Sequence, residues 1–134
     1  MANRISRLTL LRWKRQWGGA DRIVWVIVRK FDELWECDGD YYLSPHNASY
    51  KYQRFGEWLA ANASIVKVDM PHVSLNEGIA TFTDGRHRFA WCRDHGVRAL
   101  PVTVSGKLQS AELTRLVGSR IRRCVVPSVV FNDQ

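Results

Sequence analysis

The sequence predicts a small α+β domain, and three observations carry that reading. β-Branched runs at Ile23 to Val28, Ile79 to Thr83 and Ala99 to Val104 read as strands. Amphipathic spacing of Tyr52, Phe55, Trp58 and Leu59 reads as a helix from Tyr50 to Ala61. Between the second and third strands, Asp84 to Gly96 carries the start and stop signals of another helix, so 79–104 form a β–helix–β unit. A length of 134 residues suits one domain spanning 1–134, large enough to bury a core and too short for two ordinary ones.

The β–helix–β unit is the best specified part of the chain. Ile79, Thr81 and Thr83 alternate with Ala80 and Phe82 until Asp84-Gly85 ends the strand. Asp84 is placed to cap the following helix, Phe89 to Cys92 give that helix a wide apolar face, and Gly96 stands where a left-handed C-terminal residue is needed. Ala99 to Val104 then returns as a short strand. Pro101 within it suggests a sheet edge, where the missing N–H faces no neighbour.

The remaining elements follow in chain order. Residues 1–22 hold Arg4, Arg7, Arg12, Lys14, Arg15 and Arg22 against Asp21 alone, with Leu8, Leu10 and Trp13 spaced as on a strand until Gly18-Gly19. This reads as a basic N-terminal arm or hairpin. Trp13 and Trp17 among these cations suit stacking on single-stranded nucleic acid, although a solvated edge strand with buried indoles is the plainer reading. Ile23 to Val28 is continuously apolar, the pattern of a central strand covered on both faces, and Phe31, Leu34 and Trp35 add one helical turn. Glu36, Asp38 and Asp40 complete no calcium-loop spacing and read as a solvated turn. Ile65 to Val68 and Val73 to Leu75 are short strands, and Asn76-Glu77-Gly78 turns the second into the strand at Ile79. Residues 105–134 supply a C-terminal helix, Ala111 to Val117, a second basic cluster at Arg115, Arg120, Arg122 and Arg123, and at Val125 to Phe131 a terminal edge strand or an arm that docks on a partner.

Composition narrows the partners. A formal charge of +7 points to nucleic acid, anionic ligands or an acidic protein. Cys37, Cys92 and Cys124 form no CxxC pair, which argues against a disulfide framework or zinc ribbon and for a reducing, cytoplasmic setting. The run Ile23 to Val28 is far too short to insert into a membrane. His46, His72, His87 and His95 show no paired metal spacing, so no protein metal site is expected, and no nucleophile-elbow or Walker pattern is present.

Gly85, Arg86, His87 and Arg88 open the helix of the β–helix–β unit, at the end that carries unpaired N–H groups and the positive pole of the helix dipole. Two guanidinium groups and an imidazole there favour an oxyanion, and Gly85 lets it approach the backbone. His87 can donate to phosphate or act as general acid or base, and Asp84 can cap the helix or position a divalent ion. The alternative is a tight Asp-Gly turn followed by solvated basic residues. Cys92, on the apolar face, reads as a buried thiol.

The run DGRHRFAWCRDHGV, followed by LPVTV, resembles the ParB/sulfiredoxin superfamily, and its full spelling is most similar to the plasmid fertility inhibition factors within it. The resemblance is carried from about Tyr50 to Val104 and implies a mixed sheet with helices packed on it. It implies nucleotide phosphates at Gly85, Arg86, His87 and Arg88, with Lys51 and Arg54 of the preceding helix as further ligands. Arg86 stands where sulfiredoxins carry their catalytic cysteine, so sulfinic acid repair is not expected. The resemblance further implies a plasmid- or mobile-element-encoded inhibitor of conjugative DNA transfer. A nucleoside triphosphate (ATP or CTP) and Mg²⁺ would be its cofactors, NTPase or DNase its activity, and Asp84 and His87 its catalytic residues. DNA and a protein of a conjugation or secretion apparatus are the expected partners. The alternative is a non-catalytic basic module of the same fold that inhibits a DNA-processing or defence complex by binding DNA or protein.

Overall fold

The computed structural model of the chain describes residues 8–16, 18–46, 49–62 and 66–127. In chain order these form β1 (Leu8–Leu11), β2 (Trp13–Lys14), β3 (Asp21–Ile27), α1 (Val28–Trp35), α2 (Tyr50–Asn62) and β4 (Val68–Asp69). There follow β5 (His72–Asn76), β6 (Ile79–Asp84), α3 (Arg86–Asp94), β7 (Ala99–Ser105), α4 (Lys107–Val117) and β8 (Cys124–Pro127). The result is the expected small α+β architecture, a mixed sheet with helices packed on it.

The main sheet has the strand order β3-β7-β5-β6, with β5 and β7 parallel and the other two pairs antiparallel. Register places Val24 beside Val102, Val26 beside Leu100, Val73 beside Val104 and Leu75 beside Ala80, so one face is a continuous aliphatic surface buried from solvent. The aromatic groups that cover it near β6 interlock. Phe82 lies 5.5 Å from Phe31, 4.7 Å from Trp35 and 5.3 Å from Phe89, centroid to centroid, joining α1, β6 and α3. Such offset and edge-on contacts add about 0.5–1.5 kcal/mol per pair beyond area burial. The hairpin between β5 and β6 turns through Glu77 at φ 51° and Gly78 at φ 81°, the mirror-image turn that suits strand twist.

Two strands exchange the places expected of them. β7 is one of the two inner strands of the main sheet, paired on both sides, and every one of its residues but Ser105 is buried. Pro101 is tolerated because β5 begins opposite Thr103. The Thr103 N–H points to that side and donates to the Pro71 carbonyl, and two residues earlier there is no β5 acceptor for proline to miss. Conversely β3, expected to be central, is an edge with Ile23 exposed. On its free side Gly118 bridges to Val26, and the Ser119 N–H donates to the Trp25 carbonyl at 2.8 Å.

The basic N-terminal segment is neither a free arm nor a hairpin within the described residues. β1 pairs antiparallel with β8, and β2 pairs in parallel with β4. Its inward phase is also shifted by one from the expected pattern, since Leu11 is buried and Leu10 exposed. Trp17 and residues 128–131 of the expected terminal strand lie outside the described residues. α2 runs one residue past the expected end, and α4 starts at Lys107, a turn earlier than the periodicity alone indicated.

Candidate functional site

The turn from β6 into α3 is shaped by one glycine. Gly85 adopts φ 93°, ψ 14°, a left-handed conformation that other residues enter at a cost, and it occupies the N-cap position of α3. A Cβ at Gly85 would sit 2.8 Å from Pro71 Cα and 2.8 Å from Arg88 Nη2, so the residue is also packed tightly against the β4–β5 connection. The sequence reading gave the N-cap to Asp84. Asp84 is instead the last residue of β6, and no side chain caps α3.

The four residues of the Gly85–Arg88 run part company. Gly85, Arg86 and His87 line a cleft of about 300 Å³ with Tyr41, Lys51, Phe82, Thr83 and Asp84. Arg86 Nη1 donates to the Tyr41 carbonyl at 3.0 Å, and its guanidinium lies 5.5 Å from the Tyr41 ring centroid, which fixes the charge at the mouth. Arg88 turns away. Its Nη2 donates to Asp84 Oδ2 at 2.9 Å and its Nε to the Asp69 carbonyl at 3.0 Å, so it braces the turn. Arg54 is likewise absent from the cleft and lies over the Tyr50 ring, 5.4 Å from its centroid.

Charge in the cleft follows from these positions. Burial, then the positive charges of Arg86, Lys51 and Arg88, holds the His87 imidazole below its ordinary pKa. His87 is therefore neutral near pH 7. Asp84 is the one carboxylate among the lining residues. Partial burial works against its ionisation, but hydrogen bonds from Arg88 and Gln16, the Arg88 charge and the Gly85 N–H together hold it below the usual carboxylate range. Gln16 Nε2 reaches the same Oδ2 at 2.5 Å and also donates to the Met70 carbonyl at 3.0 Å.

The cationic groups, the neutral imidazole and the positive end of α3 fit a cluster of phosphate oxygens. For Mg²⁺ the fit is narrower. Among the described residues Asp84 is the one carboxylate lining the cleft, and no group of three His, Cys, Asp or Glu could hold an ion. A divalent ion would rest on Asp84 and on the phosphates themselves.

Tyr41, Thr83 and Gln16 escaped the sequence reading. Tyr41 sits in a turn after α1 and Gln16 in the basic N-terminal segment, both far from Gly85 along the chain, so no local pattern marks them. Cys92 is fully buried as expected, and hydrogen bonding to Cys124 and burial push its thiol well above the usual range, away from nucleophilic use.

Fold and cleft together define a class: a small α+β domain with a cationic cradle where a strand hands over to a helix. The sequence profile of the family described as Plasmid Fertility inhibition factor matches residues 23–118, well over half of the chain, and the protein belongs to that family. Among solved structures, it is similar to a gold(I) cyanide derivative of the Oncogenic Suppression Activity Protein, itself described as a plasmid fertility inhibition factor. That match has 23% identity and a TM-score of 0.58, covers 87% of this chain and 66% of the other, and shows a shared fold. No curated protein matches significantly. Among the described residues, no helix is long and apolar enough to cross a membrane.

Proposed function

We propose that this protein suppresses conjugative transfer of DNA from cells that carry it, and that the cleft at the β6–α3 turn holds the phosphates of a nucleoside triphosphate. The observation that carries the second statement is the convergence of Lys51, Arg86 and His87 on one cleft at the positive end of α3. Lys51 and Arg86 bind phosphate oxygens, Gly85 gives them access to the turn, and His87 takes up a proton as the anion arrives. Mg²⁺, if it accompanies the nucleotide, neutralises phosphate charge beside Asp84. The family membership of residues 23–118 supports the first statement.

Turnover is a separate matter, and one observation favours binding without it. Asp84, the one acid among the described lining residues, already has its Oδ2 engaged by Arg88 and Gln16, which makes it poorly placed to take a proton from water and leaves base catalysis to His87 alone. An inhibitor that senses or holds a nucleotide is the reading this favours over an NTPase or DNase.

Mating assays measure the first proposal: expression of the chain in donors should lower transfer of a co-resident conjugative plasmid at least tenfold, and unchanged transfer refutes it. Titration calorimetry with ATP and CTP, each with Mg²⁺, measures the second. Binding that weakens at least tenfold in Lys51→Ala and Arg86→Ala supports the cradle. No binding, or equal binding by both variants, removes it.

A further inference from the structure

A second cleft, larger than the Gly85 cradle, lies at the other end of α3. About 930 Å³ in volume, within the range of ligand-binding pockets, it lies between the start of α1, the loop leading into β7 and the segment after α4. Its walls combine aliphatic residues, Ile27, Val97 and Ile121 among them, with charged ones, and Ile121 is 53% exposed. Arg29, Arg98 and Arg120 stand around it, all exposed and none in an ion pair or hydrogen bond through its side chain. The two acids of the cleft, Asp32 and Asp94, are both tied to Arg93 at 3.0 and 2.8 Å, so they offer little negative charge to a visitor. Arg93 itself is 8% exposed and lines the cleft, and its Nη2 has no hydrogen-bond partner. The first turn of α1, uncapped by any side chain, adds its positive pole to the same space.

We infer that this cleft is the docking site for an acidic segment of a partner protein, with one aliphatic side chain held between Ile27, Val97 and Ile121 and flanking carboxylates on Arg29, Arg98 and Arg120. Charge selects the partner: three unpaired arginines around an apolar floor complement a peptide in which Asp or Glu surrounds Leu, Ile or Val. Nucleic acid suits the cleft poorly. No Phe, Tyr or Trp is among its lining residues, and His46 is the one aromatic ring there, a poorer platform for a base than an indole or phenol ring. The cleft is separate from the Gly85 cradle and shares no lining residue with it, so either site can fail without the other.

The test is selection of a random 12-residue peptide library against the full chain, followed by fluorescence anisotropy of the enriched peptides and of a 20-nucleotide single strand. The expected consensus is acidic around one aliphatic residue. Affinity should fall at least tenfold in the triple variant Arg29→Glu, Arg98→Glu, Arg120→Glu and in Ile121→Lys, and stay unchanged in Arg86→Ala. All these positions are exposed or half-buried at the surface, and circular dichroism checks that each variant is folded. No enrichment, a consensus without acidic residues, or equal binding by the triple variant overturns the inference. Loss of oligonucleotide binding in that variant, with peptides unaffected, would make nucleic acid the occupant instead.

Discussion

Gly85 and Gly96 offer a paired measurement of what the β6–α3 turn demands. Both have positive φ, 93° and 86°, but a Cβ at Gly96 meets nothing within 4 Å, whereas at Gly85 it meets Pro71 Cα and Arg88 Nη2 at 2.8 Å. Alanine at Gly96 therefore incurs conformational strain alone, about 1–2 kcal/mol. Alanine at Gly85 incurs the same strain plus overpacking of about 1–3 kcal/mol, because the Pro71 backbone cannot swing aside as a side-chain tip can. At roughly 4 °C per kcal/mol for a domain of this size, Gly96→Ala should lower Tm by about 4–8 °C and Gly85→Ala by about 8–20 °C. Calorimetry at one protein concentration measures both. Equal losses in the two variants would mean that the turn is not wedged against Pro71, and the argument that glycine is required there for packing would fall.

Three further outcomes are expected. Arg93→Met strands Asp32 and Asp94 without a cation in a largely buried site and should cost about 3–5 kcal/mol in urea unfolding, with Asp94→Asn in the same chain recovering part of it. Against the opposing effect of burial, the bonds from Arg93, His46 N–H and Tyr52 hold Asp94 below the usual carboxylate range. Its contribution is therefore complete above the unfolded pKa of about 3.9 and lost as pH falls through the lower folded value, an acid slope that Arg93→Met should reduce. Because His87 is held below its ordinary pKa and an entering anion raises it, affinity for sulfate, whose own charge is constant in this range, should increase as pH falls below neutrality, and His87→Gln should flatten that dependence in calorimetric titrations. Gly56→Ala should lower Tm although alanine gains about 1 kcal/mol in helix propensity, since its Cβ would lie 2.5 Å from Trp91 Nε1 across the α2–α3 contact.

What could be read from the sequence was local. The β6–α3–β7 unit, the left-handed Gly96, the α2 helix and the Glu77-Gly78 turn follow from short-range signals, and all are present. What could not be read was which strand lies inside. The apolar run at β3 and the proline in β7 each suggest the wrong position, because strand order depends on where β5 begins opposite β7, a pairing between distant residues. The site divided in the same way. Gly85, Arg86, His87 and Lys51 meet in one cleft, while Arg88 is drawn off by Asp84 and the Asp69 carbonyl. Helical spacing brings Arg88 within reach of Asp84, but the Asp69 carbonyl arrives through β4, which no motif predicts.

The antiparallel ladder that aligns Leu11 with Cys124 also has a bearing on synthesis. A ribosome delivers Leu8–Leu11 early, yet their hydrogen-bonding mate emerges only after the main sheet and the helices α1 to α4 have been made. Until then the nascent chain carries an open, leucine-rich strand edge. It closes last, so premature termination before Cys124 would release a nearly complete domain with that edge exposed for self-association.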